Sequence, residues 1–151
     1  MYAMGNSIKA MVMSAGIGSR LEPLTLAVPK PLVPLANIPV MDILLKHLSS
    51  FGINEVIANT FYKAEDIQNR YKNNKFGVDF NYIHEKELSG TAGGLKKCEF
   101  FFNDVDDFIV MSADGLTDIN IMQAWETHKR SDAIATIVTK EVKHSDVSKY
   151  G

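Results

Sequence analysis

All five prolines of this 151-residue chain lie between Pro23 and Pro39, directly behind a glycine-rich turn, Ala15-Gly16-Ile17-Gly18-Ser19-Arg20. A long loop stiffened by its own composition is the consequence, and such loops in compact domains usually carry function. The apolar run Ala10-Met11-Val12-Met13 leads into it and reads as a buried strand ending in a tight turn. Glycines there let backbone N–H groups come close to a ligand, and successive N–H groups form an anion-binding concavity. Arg20 adds a permanently charged fork suited to phosphate oxygens. Lys30 is held between Pro29 and Pro31, so its backbone is restrained from both sides.

Two phosphate loops are excluded by spacing. The dinucleotide fingerprint needs a third glycine where this chain has Leu21, and a helix opening at once, where Pro23 stands instead. The P-loop needs Gly-Lys-Ser/Thr after a four-residue gap, and no such run exists. The stretch resembles the signature of the sugar-1-phosphate nucleotidyltransferases, both the mannose-1-phosphate guanylyltransferase and the glucose-1-phosphate thymidylyltransferase types. The residues that carry the resemblance are Gly16, Gly18, Ser19, Arg20, Leu21, Pro23, Leu24, Thr25, Pro29, Lys30, Pro31, Pro34, Leu35, Asn37 and Pro39. It implies a Rossmann-like α/β fold, a three-layer αβα sandwich with a mostly parallel sheet, and Ala15, Gly16, Gly18 and Ser19 at the nucleotide.

A net charge of −2 offers no basic footprint for nucleic acid and no reason to expect a membrane surface as partner. No apolar run approaches the roughly 20 residues that span a bilayer, and no signal-peptide pattern is present. The single cysteine, Cys98, forms no internal disulfide, and no Cys/His cluster has zinc spacing. A reduced, cytoplasmic setting is the expectation. Residues 1–7 lack periodicity and read as disordered or left over from cloning; one domain is expected over residues 8–151.

Strands are expected at Ile8–Ser14, Glu55–Asn59, Val78–His84, Phe108–Met111 and Ala133–Val138, and helices at Val40–Phe51, Ala64–Asn73, Thr91–Phe102 and Ile119–Lys129. Short β-branched strands alternating with helices imply a parallel sheet covered on both faces. Ligands of such sheets sit beyond the carboxyl ends of the strands, so the loops after the first, third and fourth strands are the ones to search.

The loop after the third strand reads Glu85-Lys86-Glu87-Leu88-Ser89-Gly90-Thr91-Ala92-Gly93-Gly94. Thr91 is placed to cap the following helix, but a cap does not explain three glycines in five residues. The run resembles the family's Leu-Gly-Thr-Ala-Gly segment, which packs on the nucleobase, with Ser89 as a departure. The resemblance puts Gly90 in the backbone role, Glu85 in the side-chain role and Thr91 beside them. The plainer alternative is a solvated Glu85 beside Lys86 and Glu87. A base-facing Glu85, acceptor-only, would suit an edge with two donors, as guanine has, and so favours GTP.

The fourth strand, read as buried on both faces, ends in Ser112-Ala113-Asp114-Gly115. A carboxylate at that end is suited to a hard cation such as Mg2+, and the resemblance to the family's strand–Gly-Asp–Leu-Thr-Asp pattern makes Asp114 the metal ligand, with Ala113 as a departure. Asp118 is expected to cap the helix near Ile119. His47, His84, His128 and His144 have no partner at triad or metal spacing and read as solvated or packing residues. Phe100, Phe101 and Phe102 read as core anchors, and Asn59-Thr60-Phe61-Tyr62 as a packing or turn segment.

The resemblance implies that a sugar 1-phosphate and a nucleoside triphosphate react, with Mg2+, to give a nucleotide-sugar and pyrophosphate, Arg20 and Lys30 being the catalytic cations. The family's later sugar-phosphate segment and second metal-binding Asp have no counterpart here. An amino-terminal fragment is therefore expected, or a site completed by a homo-oligomer. The competing class is a non-catalytic nucleotide-binding or regulatory module of the same fold.

Overall fold

A computed structural model describes residues 8–142; the first seven residues, and the last nine with His144, lie outside the described residues. The described residues form two compact units that divide between Asp118 and Ile119. In order, the first contains β1 (Lys9–Met13), a single turn α1 (Leu24–Ala27), the two-residue strands β2 (Pro34–Leu35) and β3 (Ile38–Pro39), and α2 (Val40–Ser50). Then come β4 (Glu55–Thr60), α3 (Ala64–Tyr71), β5 (Asp79–His84), α4 (Gly90–Lys97) and β6 (Phe108–Ser112). The strands order β5-β4-β1-β6, and every pair in this sheet is parallel.

β1 is central because it can be dry on both faces: Ala10, Met11 and Val12 are all fully buried. Its first residue, Lys9, is buried too, and its ammonium is met by Asp104 at 2.7 Å, Glu55 at 3.4 Å and the Phe101 carbonyl at 3.1 Å. In-register Met11 and Ile57 form one core with Cys98 and Phe102. α4 lies against β1 and β4, which brings the glycine-rich helix start to the carboxyl end of the sheet. The proline segment is a chain of short turns ending in a hairpin: β2 and β3 pair antiparallel through Ala36 and Asn37, both at positive φ. Two residues at positive φ give the tight turn whose twist matches paired strands.

Several expectations are corrected. The expected helix over Thr91–Phe102 stops at Lys97 and tightens into a 3-10 turn, Glu99–Phe102. That turn buries Phe102 but leaves Phe100 61 % exposed, so Phe100 is no anchor. β6 is not buried on both faces: as the last strand of the sheet among the described residues, it leaves Phe108 and Val110 exposed. Thr91 does not cap α4, which begins one residue earlier, with Ser89 at the cap position.

In the second unit, α5 (Ile121–Lys129) is capped by Asn120, whose side chain accepts from the Gln123 N–H at 3.0 Å, and not by Asp118. No strand forms over 133–138, and Ile134 and Ile137 are exposed. β-branched alternation creates a tendency only; a strand needs a neighbour to take its backbone hydrogen bonds, and this segment has no ladder partner among the described residues. Among the described residues no helix is long and apolar enough to cross a membrane.

α2 and α3 are tied by a buried carboxylate. Asp42, 5 % exposed, accepts two hydrogen bonds from Arg70, at 2.8 and 2.5 Å, and one from the Tyr71 hydroxyl at 2.7 Å. Burial pushes its carboxyl pKa up, but the Arg70 and Tyr71 hydrogen bonds outweigh that and hold it below the ordinary 3.8. A depressed folded-state pKa stabilises above the unfolded value and ceases to as pH falls through the folded one. Thermal unfolding of Arg70→Met is expected to show about 3 kcal/mol less stability at neutral pH, because Asp42 is left buried without its counter-charge. Below pH 3.8 the gap to the unaltered chain is expected to narrow.

Candidate active site

Past Met13 the backbone leaves the sheet, and Ser14 is at once gripped by the neighbouring strand end. Its N–H donates to the Asn59 side-chain oxygen at 3.1 Å and its hydroxyl to the Asn59 carbonyl at 2.6 Å. Ala15 and Gly16 then open the turn that Gly18 closes at φ 77°. A Cβ on Gly18 would lie 2.9 Å from the Thr25 methyl and 3.0 Å from the Lys30 Cβ. The structure thus gives Gly18 a packing reason of its own: it lets the proline segment fold back so that Lys30 returns over the turn. Thr25 secures the same fold-back with a 3.0 Å hydrogen bond to the Gly18 carbonyl, and its own carbonyl accepts from Tyr62 at 3.0 Å.

Lys30 starts a 3-10 turn behind Pro29 and forms an ion pair with Asp114. Asp114 is aimed there by Ala113, whose N–H continues the sheet by donating to the Met13 carbonyl at 3.0 Å. Burial raises the Asp114 carboxyl pKa, while Lys30 and the Ser112 hydroxyl lower it by more, so it stays ionised.

Glu85 is the third strand end. It is 2 % exposed, so it is not the solvated carboxylate that Lys86 and Glu87 suggest. Oε1 accepts from Asn59 Nδ2 at 2.7 Å; Oε2 accepts from Lys97 at 2.9 Å, from the Ser89 N–H at 3.1 Å and from the Ser89 hydroxyl. Burial pushes its pKa up, but the hydrogen bonds from Ser89, Asn59 and Lys97 prevail and bring it down to about 2. One lone-pair direction of Oε1 is left over from these four bonds. Gly93 and Gly94 serve this network. A Cβ on Gly94 would sit 2.5 Å from Asn59 Nδ2, and one on Gly93 2.6 Å from the Ser89 Cβ. Gly90, at φ 72°, has open space around it.

These strand ends enclose a cavity of about 310 Å3 lined, among others, by Ser14, Ala15, Gly16, Lys30, Asn59, Glu85, Gly90, Thr91 and Asp114. That size is in the range of small-ligand sites. Of the residues singled out from sequence, Gly18, Ser19 and Arg20 do not line it; Arg20 stands exposed on the adjoining turn. Ser14, Asn59, Leu88 and Ser112 line it without having been singled out. A polar residue closing a buried strand was the available signal for Asn59.

Lys30, the exposed amides at the start of α4 and the backbone of Ala15 and Gly16 can hold anionic oxygens. For a divalent cation the lining offers one partly exposed carboxylate, Asp114, with the Ser112 hydroxyl beside it. Among the described residues no three metal-ligating side chains gather. This donor set fits Mg2+, which takes one or two protein carboxylates and completes its shell with water and substrate phosphate.

The sequence profile of the nucleotidyl transferase family matches residues 9–151. A UTP–glucose-1-phosphate uridylyltransferase from Synechocystis is 37 % identical, over 95 % of this chain and 40 % of its own length. The catalytic subunit beta of a mannose-1-phosphate guanylyltransferase from Drosophila pseudoobscura is 35 % identical, over 97 % and 40 %. The chain therefore spans about two fifths of these relatives. HddC from Yersinia pseudotuberculosis complexed with GMP-PN superposes with a TM-score of 0.72 at 25 % identity, over 83 % of this chain and 56 % of that one.

Glycine-to-alanine exchanges should separate open backbone from occupied backbone. Gly94→Ala is expected to lower stability by about 2 kcal/mol in thermal unfolding, overpacking against Asn59 outweighing the gain in helix propensity. Gly16→Ala, whose Cβ meets nothing within 4 Å, is expected to change stability by less than about 0.5 kcal/mol.

Proposed function

Because the chain belongs to the nucleotidyl transferase family, we propose that its cavity binds a nucleoside triphosphate for transfer of the nucleotidyl group to a sugar 1-phosphate. A phosphate oxygen of the sugar 1-phosphate attacks the α-phosphorus, the bond from that phosphorus to the bridging oxygen breaks, and pyrophosphate leaves. The attacking oxygen is already ionised, so no protein nucleophile or strong base is needed. Positioning and charge neutralisation are what such chemistry requires. The observation that carries the reading is the Lys30–Asp114 pair on the lining of the same cavity as Gly16 and Gly90. One cation and one carboxylate, brought from loops far apart in sequence, meet where phosphates can lie.

In this reading Lys30 engages the α-phosphate or the sugar phosphate, and Arg20, exposed at the turn, takes the departing pyrophosphate. Ala15, Gly16, Gly18 and Ser19 shape the phosphate turn, while Gly90 and Thr91 border the base. Asp114 holds Mg2+, which offsets charge on the reacting phosphates when bound. GTP is the proposed nucleotide: Glu85 stays ionised and acceptor-only, and the lone-pair direction left on Oε1 suits the imino N–H of guanine, which uracil also has and which cytosine and adenine lack. The names of the guanylyltransferase relatives point the same way. The second reading is a nucleotide-binding module without turnover, favoured by one observation: Lys30 and Asp114 neutralise each other.

Thermal unfolding with GTP, UTP, dTTP, CTP and ATP plus Mg2+ tests the binding reading. A nucleotide at a hundred times its Kd should add roughly 2.7 kcal/mol, and the largest shift is expected with GTP, abolished in Asp114→Ala. Pyrophosphate release with a panel of sugar 1-phosphates separates transfer from binding alone. Arg20→Ala is expected to lower that rate by about 10²–10³, the cost of removing one electrostatic stabiliser of the reacting phosphates. Unaltered turnover removes Arg20 from the reaction.

A further inference from the structure

Asn59 joins the phosphate turn to the base side of the cavity, and every one of its polar atoms has an assigned direction. Its carbonyl accepts from the Ser14 hydroxyl and its Oδ1 from the Ser14 N–H, 3.1 Å away. With Oδ1 committed to a donor, the amide nitrogen must face the other way, toward Glu85 Oε1 at 2.7 Å. The Ser14 backbone N–H is a donor by nature, so it fixes the amide orientation. The orientation of Asn59 then holds the Glu85 carboxylate in one rotamer, from the side opposite Lys97 and Ser89. Gly94 supplies the space: a Cβ at that position would sit 2.5 Å from Asn59 Nδ2, so only hydrogen fits there. Asn59 is 5 % exposed and Glu85 2 % exposed, so water does not substitute for either contact at little cost.

We propose that Asn59 is a positioning residue for nucleobase selection, fixing the acceptor face of Glu85 relative to the phosphate turn through Ser14. This deepens the nucleotidyl-transfer reading and rests on it. The two ends of one nucleotide, base and phosphates, are thereby gauged against a single rigid amide. A base whose edge does not present a donor at Glu85 Oε1 then binds with its phosphates displaced from the turn.

Asn59→Asp separates the two halves of this link. The exchange keeps an oxygen for the Ser14 N–H and keeps the backbone carbonyl for the Ser14 hydroxyl, but it sets a second carboxyl against Glu85, so the two share one proton and Glu85 loses the fixed amide N–H that held its acceptor face. Affinities for GTP, CTP (whose ring N3 is an acceptor where guanine N1–H is a donor) and inorganic tripolyphosphate, measured by calorimetry on the chain with Mg2+, are the readout. The expected result is a fall of about tenfold or more in the GTP:CTP preference, with tripolyphosphate affinity within about twofold of the unaltered chain.

The double variant Asn59→Asp with Glu85→Gln reverses donor and acceptor and restores the hydrogen bond, leaving an amide oxygen for Ser89 and Lys97. Its unfolding midpoint is expected to recover from that of Asn59→Asp, while the GTP preference is not regained, because an amide N–H has replaced the acceptor. This variant decides the question if Asn59→Asp alone does not fold.

A preference unchanged in Asn59→Asp, an equal loss for all three ligands, or a double variant no more stable than the single one each overturns the inference. If the unaltered chain binds tripolyphosphate and nucleotides with no base preference, base selection at Glu85 is wrong and the inference falls with it. If it binds none of them, the nucleotidyl-transfer reading of the cavity is itself overturned.

Discussion

Parallel hydrogen bonding of β1 on both of its edges is the constraint on which the rest depends. β4 pairs with one edge and β6 with the other, in the same direction and in a register that ends all three strands close together. Parallel pairing forces every crossover to return to the starting end of the sheet, so the loops that leave the carboxyl ends collect on one edge. Ser14, Asn59 and Ala113 are the residues at those ends, and each hydrogen-bonds across to its neighbour. The cavity is thus a product of strand direction before it is a product of any single side chain.

Charge at that edge is distributed by burial. Glu85 is nearly solvent-free and survives as a carboxylate because four donors converge on it, one of them the Lys97 ammonium. An unpaired carboxylate at that depth would take up a proton instead. Asp114 and Lys30 are only partly covered, about a third and a quarter exposed. Their pairing is correspondingly weaker and open to exchange with a phosphate or a cation. The deep carboxylate is suited to holding shape and the shallow pair to chemistry.

The elements were legible in sequence where local rules decide them. β1, β4 and α2 fall within a residue or two of expectation, because each is a sustained apolar pattern between glycine or proline stops. Expectation failed where a partner decides. Among the described residues Ala133–Val138 has a strand's composition and no ladder, and β6 has a buried strand's composition and stands at the edge of the sheet. Asn59 was passed over because its partners lie 45 and 26 residues away, beyond any local pattern.

What the sequence alone determined is the set of chemical groups and the stiffness of their carriers: the glycines at 16, 18 and 90, the prolines around Lys30, and a carboxylate behind each of two strands. Those follow from covalent geometry and residue type, which act locally. Only the tertiary structure decided that Glu85 is buried and held by four donors, that Lys30 meets Asp114, and that Gly94 makes room for the side chains of Asn59 and Glu85. Desolvation and long-range pairing settle such matters, and both depend on which strands lie side by side.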